Sequence, residues 1–458
     1  MLAAPCTEQE IHKMRSATAK IAITPPEGLA MSGFAARTEL STGTLDDLWA
    51  RAASFSDGSK RVVIVALDLI GVDDMLAGRI KDEAVIKIGD GLETHVIVCA
   101  THTHAGPAVL PKAMLGAVDG AYRTLLVKKA SDACAMAASA EAATGCIEVG
   151  MSVSKGVGAN RRTPEGPIDR RVYTFAAKPE AASAGPGERC PFPVILNYAC
   201  HGVALGPQNT RYSSDYIHFT RTAVERAIPG ALSIFTQSAS GDINTGHSAQ
   251  ASIAGRSQGR TYADAERVGL ALGDDAIMAA RSAVCSAGGA GPEIRFAKGG
   301  VSLRLEPACS KGEYLQMAAM YDELARSQGA KSGPGLARAD RTRAEWARLM
   351  AYAKQLPDSV EASISAFAIG PALFVTFPGE VLTEYAAELR EAAGGRPLFV
   401  LTCTDGAVGY VPSAAEASKG GYEVADSYHF YGMPAPYAMD AYDTALGKAK
   451  ELLASVMV

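Results

Sequence analysis

Apolar runs alternate with amphipathic stretches along most of this 458-residue chain. Residues 61–70 are apolar and β-branched on both faces, which predicts a central strand covered on both sides. A helical pattern over 75–88 follows, and the apolar run 96–100 predicts the next strand. The same patterns predict strands at 146–154, 172–177, 193–199, 232–236, 294–305, 360–377 and 397–404. They predict helices at 122–143, 214–227, 262–284, 382–393 and 444–456, and two more within 313–354.

This alternation predicts the α/β class, as a layered domain with a mixed β-sheet flanked by helices. Hairpin-like strand pairs favour a mixed sheet over a purely parallel one. A loop rich in Pro, Gly and Ser over 178–191 joins two predicted strands, and a polar, aromatic loop occupies 410–437. The sequence contains no repeat and no clear linker, so we expect a single catalytic domain over residues 1–458.

Composition narrows the class of protein. Hydrophobic residues make up 48% of the chain, enough for a large core. The net charge is -5 without a basic run, which argues against a nucleic-acid partner. The nine cysteines are scattered without a C-x-x-C pair, which argues against a disulfide framework and a cysteine-based zinc site. Since neither a signal peptide nor an apolar run of membrane-spanning length is evident, we expect a reduced, cytoplasmic protein without a membrane span.

Histidines follow two of the predicted strands. His102 and His104 come directly after the strand at 96–100, and side chains two residues apart on a strand share one face. His201 ends the run at 193–199 in the same kind of position. Because sites in α/β proteins gather at the carboxyl ends of strands, these histidines can converge on a metal. The alternative is that they are hydrogen-bonded structural residues entering loops.

Two further segments carry candidate polar groups after apolar runs. Glu380 follows a strand and a Pro-Gly turn, where a carboxylate can serve as an oxygen ligand or can simply begin a helix. The Gly- and Ser-rich segment 237–244 contains Asp242, which can orient a histidine or can cap a surface loop. Neither a nucleophile elbow nor a phosphate-binding glycine motif is present at a useful position.

Short motifs spread over nearly the whole chain resemble the neutral/alkaline non-lysosomal ceramidase family. The most specific is T-H-T-H-A-G-P at 101–107. The other matching segments are 19–26, 66–69, 160–162, 198–202, 213–215, 241–244, 378–380, 422–423 and 431–432.

Members of that family are zinc amidases that cleave the N-acyl bond of ceramide. Carried over by position, the resemblance implies a zinc ion held by His102, His201, Glu380 and Tyr422. It implies that His104 faces the substrate and the reacting oxygen instead of binding metal. It assigns Arg161 to the substrate side and leaves Tyr431 and Tyr437 as alternatives for the tyrosine at the oxyanion.

Two departures from the family pattern change the expected substrate. Asn244 stands where the family motif carries a serine once considered a nucleophile, so a zinc-bound water is the expected nucleophile. The chain also ends soon after the tyrosine loop, without the extra C-terminal β-sandwich domain of ceramidases. We therefore expect a soluble or amphiphilic N-acyl substrate that need not be ceramide.

The sequence thus predicts a zinc-dependent hydrolase of a carboxamide bond. His104 and a tyrosine would stabilise the oxyanion and pass a proton to the leaving amine. The alternatives are an esterase or lactonase on the same site and a non-catalytic, metal-containing protein that binds a small ligand. The expected partner is a small molecule, and the oligomeric state is left open.

Overall fold

The computed structural model describes residues 14–111, 116–180, 191–254, 260–287, 293–331 and 334–457. Its strands are β1 Arg15–Ala22, β2 Trp49–Ser56, β3 Lys60–Leu67, β4 Glu93–Ala100, β5 Ala142–Val153, β6 Ala159–Asn160, β7 Arg171–Pro179, β8 Phe192–Tyr198, β9 Ala231–Gln237, β10 Ile243–Asn244, β11 Val284–Ala287, β12 Ile294–Arg304, β13 Ser359–Ile369, β14 Ala372–Thr376, β15 Glu380–Val381, β16 Leu398–Leu401 and β17 Tyr410–Val411. Its helices are α1 Asp74–Ile88, α2 Gly120–Ser139, α3 Tyr216–Ala227, α4 Ala249–Ala254, α5 Tyr262–Arg281, α6 Lys311–Lys331, α7 Pro334–Tyr352, α8 Thr383–Ala392, α9 Ala414–Ala417, α10 Tyr422–Ala425, α11 Ser427–Phe430 and α12 Ala441–Met457.

The larger sheet has the order β4-β3-β2-β1-β5-β7-β8-β9, and β11 adds to β5. The β3–β4 pair is parallel and connected through α1, and the β8–β9 pair is parallel and connected through α3. The other neighbours in this order are antiparallel, so the sheet is mixed as predicted. The end strands β4 and β9 contact each other, so the sheet curves and brings the carboxyl ends of β4 and β8 into one region.

A second sheet, β12-β13-β14-β16, packs face to face on the first. Phenylalanines from both sheets meet at this interface: the ring centroid of Phe175 lies 5.8 Å from that of Phe374 and 6.3 Å from that of Phe399. Such edge contacts between buried rings stabilise the interface beyond the area they bury. The sequence predicted most of these strands but did not divide them between two sheets.

Helices cover the outer face of each sheet. Along β3, Val63 and Val65 contact the helix-covered core, whereas Ile64 and Ala66 face the second sheet, as the two-residue period of a strand requires. Helices α1, α2, α3 and α5 lie on the first sheet, and α8 and α12 lie on the second. The predicted α/β class with layered helices is confirmed, with the layers in the order helix, sheet, sheet, helix.

Helices α6 and α7 form a hairpin that packs on the tyrosine-rich segment between β17 and α12. Trp346 donates its indole N–H to the carbonyl of Met433 at 2.9 Å, and the Tyr314 hydroxyl donates to the carbonyl of Pro434 at 2.9 Å. The hairpin therefore anchors the segment that supplies several groups of the candidate site. In the described part of the chain, no helix combines the length and apolarity needed to cross a membrane.

Two local features differ from the sequence-based expectations. Strands β1 and β2 were not predicted, since they are rich in Ala and Ser and β2 buries the charged Arg51. Helix α3 was predicted from residue 214 but begins at Tyr216, and the carboxylate of Asp215 caps it by accepting the backbone N–H of Tyr216. Most of the predicted loop 178–191 lies outside the described residues.

The cysteines also differ in part from the expectation of a fully reduced chain. A disulfide joins Cys146 on β5 to Cys285 on β11, across 139 residues of sequence. Disulfides are typical of proteins in oxidising compartments, so this bond does not agree with the predicted reducing environment. Among the described cysteines, Cys99, Cys134, Cys200 and Cys403 are buried and free.

Candidate metal centre

The end of β4 places His102 and His104 above the edge of the larger sheet. The backbone N–H of Thr101 donates to Leu67 and that of His102 donates to Leu69, both at 2.9 Å, so the loop is held against the end of β3. His102 has φ 65°, a left-handed conformation that costs energy for a residue with a β-carbon. This conformation turns the chain sharply out of the strand and aims the imidazole inward, where His102 is buried.

Positive backbone φ angles at residues other than glycine mark this region of the described chain. Besides His102, they occur at Asp215, Cys403 and Asp405. The carboxylate of Asp215 holds the loop after His201 through the backbone N–H groups of residues 204 and 205, at 3.0 and 2.8 Å. Because such conformations persist only where surrounding contacts enforce them, their concentration here is typical of a functional site.

The segment after β8 brings His201 next to the first pair of histidines. A parallel bridge joins Thr103 to Gly202, and the backbone N–H of His104 donates to the Gly202 carbonyl at 3.0 Å. A β-carbon at Gly202 would lie 2.8 Å from the carbonyl oxygen of His102, so only glycine allows this backbone approach. The two strand ends therefore meet as the sequence predicted.

The three imidazoles converge through the same nitrogen. One ligand atom each from His102, His104 and His201 lies within 4.8 Å of the others, and the Nε2 atoms of His102 and His104 are 3.4 Å apart. Each Nδ1 instead faces a backbone carbonyl: that of Ile70 at 2.7 Å from His102, that of Ser240 at 2.8 Å from His201, and that of Gly33 at 3.0 Å from His104.

These carbonyls select the protonation state of the rings. A carbonyl accepts but cannot donate, so each Nδ1 carries a proton and each Nε2 is the atom that can offer a lone pair to a cation at the centre. This is the outer-shell arrangement that orients histidines in metal sites. The group of three histidines can therefore bind a metal ion.

Glu380 joins the histidines from the second half of the chain. Its Oε2 atom lies 3.0 Å from Nε2 of His201 and 3.2 Å from Nε2 of His102, and its Oε1 atom accepts the hydroxyl of Tyr431. Burial alone would raise the pKa of Glu380, but His102 and His201 outweigh burial and hold it well below its usual range. Glu380 is therefore a carboxylate oriented into the cluster.

The three histidines differ in pKa. Burial lowers the pKa of His102, but Cys403 and Glu380 outweigh burial and hold it well above its usual value. Burial, followed by the neighbouring His102, holds the pKa of His104 well below its usual value. Burial and the Arg161 guanidinium lower the pKa of His201 to about 4. His102 and His201 are almost fully buried, whereas His104 is partly exposed, so solvent reaches the cluster at His104. A cavity of about 20 Å³, large enough for one water molecule, adjoins the cluster at His102, Glu380 and Tyr431.

Tyr410 is the residue that the sequence reasoning missed. It begins β17, which pairs in parallel with β15 so that Tyr410 lies opposite Glu380. Its hydroxyl oxygen is 3.3 Å from Nε2 of His201 and accepts Nη2 of Arg161 at 3.1 Å. The available signal was its position at the start of the polar, aromatic loop, six residues after the predicted strand at 397–404.

The other tyrosines occupy distinct positions around this group. The Tyr422 ring lies 5.9 Å from the ring of Tyr410, and among the described contacts its hydroxyl has no hydrogen-bond partner. The Tyr431 hydroxyl donates to Glu380, and the Tyr437 hydroxyl donates to the carbonyl of Val408 at 2.7 Å.

Two polar residues of the 237–244 segment shape the backbone around His201. Asp242 accepts from the Asn160 amide at 2.9 Å and from the Thr383 hydroxyl at 2.8 Å, so it ties together the segments of His201 and Glu380. The carbonyls of Ser240 and Ile243 face the Nδ1 proton of His201, so Asp242 does not orient this ring directly. Asn244 accepts the backbone N–H of Gly246 at 2.9 Å and donates to the carbonyl of residue 247 at 2.7 Å, which stabilises the turn.

Comparisons with known proteins agree with this fold. Neutral ceramidase from Pseudomonas aeruginosa superposes with a TM-score of 0.70 at 17% sequence identity, covering 97% of this chain and 74% of that chain. A ceramidase complexed with C2 superposes with a TM-score of 0.68 at 15% identity over the same shares of the two chains. No family model and no curated protein matches the sequence. The resemblance predicted from the T-H-T-H-A-G-P segment is thus supported over nearly the whole chain, which has the neutral ceramidase fold.

Proposed function

We propose that this protein is a zinc-dependent hydrolase that cleaves a carboxamide bond of an N-acyl compound. One observation carries the proposal: three imidazole Nε2 atoms and one carboxylate converge while every Nδ1 is held by a backbone carbonyl. In a purely structural cluster each hydrogen-bond acceptor would face a donor. Here the imidazole nitrogens and the carboxylate oxygen are directed at one point. Such an arrangement is stable only if a cation or protons occupy the centre.

We assign the metal to His102, His201 and Glu380, with the Tyr410 hydroxyl as the fourth neighbouring group. The spacings of 3.0 to 3.3 Å among these atoms suit ligands around one small cation. Two histidines with a carboxylate are a ligand set of catalytic zinc sites. A bound zinc ion would supply a Lewis acid and lower the pKa of its water to about 7.

We assign His104 to proton transfer, because it is the partly exposed member of the histidine group. Its Nδ1 proton is committed to the Gly33 carbonyl, so its Nε2 atom is the free acceptor. Its lowered pKa keeps the ring neutral, and a neutral imidazole can accept a proton from water and return it to the leaving amine. This is the role expected from the sequence, now supported by exposure and by the hydrogen bond of the ring.

We assign the tyrosine at the oxyanion to Tyr422, which the resemblance had placed on the metal, instead of to Tyr431 or Tyr437. Tyr431 is engaged with Glu380, and Tyr437 is engaged with the carbonyl of Val408, so each hydroxyl already has an acceptor. The Tyr422 hydroxyl is available as a donor toward a negative oxygen, while Tyr410 takes the position beside the metal ligands that was expected of Tyr422. The Asn244 side chain donates to the carbonyl of residue 247 and so stabilises a turn, and no catalytic step is assigned to it.

The amide substrate class rests on the shared fold with two ceramidases together with these residues. The decisive experiment measures zinc content and hydrolysis of matched amide and ester pairs with one acyl chain, with and without a chelator. We expect amide hydrolysis that the chelator removes and zinc restores. Faster hydrolysis of every ester would favour an esterase, and tight ligand binding without turnover would favour a binding protein.

The variant His104→Ala separates catalysis from metal binding. We expect it to retain zinc and to lose about 10²–10⁴-fold in turnover, the usual contribution of general acid–base catalysis. His95→Ala is the matched control, because that imidazole stacks on Phe296 at 3.7 Å and lies outside the cluster. Equal activity of the two variants would contradict the role assigned to His104.

A further inference from the structure

A buried chain of charged groups lies behind the Tyr410 hydroxyl. The Arg161 guanidinium donates Nη2 to that hydroxyl at 3.1 Å, Nη2 also to the Gly241 carbonyl at 2.8 Å, and Nε to Glu423 at 2.8 Å. The Arg161 side chain is only 7% exposed. The guanidinium is thus engaged with the protein on two of its nitrogens, whereas the sequence assigned it to substrate binding.

The position of Arg161 is also fixed through its backbone. Asn160 pairs with Ile243 between β6 and β10, and the N–H of Arg161 donates to the carbonyl of Asp242 at 2.8 Å. Strand β10 belongs to the segment that holds the Nδ1 proton of His201. One short ladder therefore ties the guanidinium to the same backbone that orients a metal-binding imidazole.

Glu423 completes the chain on the far side of Arg161. Its carboxylate is 3% exposed and bridges two arginines, with Oε1 on Arg161 and Oε2 on Arg162 at 2.5 Å. A buried guanidinium without a carboxylate partner is strongly unfavourable, so Glu423 keeps Arg161 charged and in one orientation. Glu416 pairs with Arg162 at 2.8 Å but has no described contact with Arg161.

We propose that Glu423 is a positioning residue that holds the Tyr410 hydroxyl at the metal centre through Arg161. Glu423 touches neither the histidines nor the cavity beside them, so its action passes through the guanidinium. Removing its charge frees Arg161 to reorient and releases the phenol from its place near His201. This inference rests on the proposed function, because it assumes that a metal occupies the cluster.

The test is the affinity of the metal-free, full-length protein for zinc, measured by competition with a chromophoric chelator. Outer-shell partners of metal ligands typically change metal affinity by about 10–100-fold, and we expect Glu423→Gln to weaken zinc binding by that factor. Glu416→Gln is the matched control, since it removes a buried carboxylate from the same loop and we expect unchanged affinity. Circular dichroism of each variant establishes that the fold is retained.

A double-mutant cycle with Tyr410→Phe separates positioning from a general loss of structure. If Glu423 acts through the phenol, Glu423→Gln adds no further loss of zinc affinity to Tyr410→Phe, so the two effects are non-additive. Additive effects, or equal losses in Glu423→Gln and Glu416→Gln, would overturn the inference. Wild-type protein that binds no zinc would overturn the proposed function and this inference together, whereas tight wild-type binding with an unaffected Glu423→Gln variant overturns the inference alone.

Discussion

Replacing Asp68 by Asn should lower the free energy of unfolding far more than removing one charge from an exposed ion pair. Asp68 follows β3, and its two carboxylate oxygens accept the two terminal nitrogens of Arg221, each at 2.9 Å. The side chains are 0% and 1% exposed. The variant leaves a buried guanidinium with the Ser214 hydroxyl as its remaining described partner, and breaking such a pair costs about 3–5 kcal/mol.

Urea unfolding of the metal-free protein measures this cost. The control is Asp440→Asn, whose partner Arg304 is 68% exposed, so we expect little change in its unfolding free energy. Added salt should not restore the Asp68→Asn variant, because the buried pair is poorly screened. A loss below about 1 kcal/mol, the size typical of an exposed pair, would refute the idea that this pair anchors the strand end below His102.

Further predictions concern the metal, the strand ends and the disulfide. Zinc at 100 times its dissociation constant should stabilise the metal-free protein by about 2.7 kcal/mol in thermal unfolding, and an absence of any shift would contradict a folded-state site. Glu380→Gln should weaken zinc binding by more than the about 10–100-fold typical of outer-shell groups, and unchanged affinity in chelator competition would exclude this ligand. Gly202→Ala should lower stability and zinc affinity, since its β-carbon meets the His102 carbonyl. Gly447→Ala, in α12 with nothing near its β-carbon, should raise stability by about 0.5–1 kcal/mol, and equal effects in urea unfolding would refute the steric argument. Peptide mapping without reduction should find Cys146 linked to Cys285, and finding both as free thiols would contradict the disulfide.

The sequence was sufficient for the parts that follow simple periodic rules. Apolar runs located the strands β3, β4 and β8, and the rule that sites form at carboxyl strand ends brought His102 and His201 together correctly. Glu380 follows β14 and the Pro-Gly turn, and its carboxylate lies beside His102 and His201. These predictions succeeded because each depends on a short segment whose neighbours are fixed by the α/β architecture.

The remaining features depend on contacts between distant segments. Tyr410 reaches the cluster through the pairing of β15 with β17, and both strands are only two residues long, too short for a periodic pattern. The partners of Arg161 come from residues 241, 410 and 423, so its internal role becomes visible only once the chain is folded. Strand β2 was missed because its buried Arg51 interrupts the apolar pattern and is compensated by Glu225 on α3.

The central claim is that His102, His201 and Glu380 hold one metal ion. Anomalous diffraction from zinc-loaded crystals, with data on both sides of the zinc absorption edge, tests it most directly. We predict a single strong peak bonded to Nε2 of both histidines and to Oε2 of the carboxylate. Zinc-loaded crystals with no anomalous peak among these three side chains, or with the ion bound elsewhere, would contradict the account.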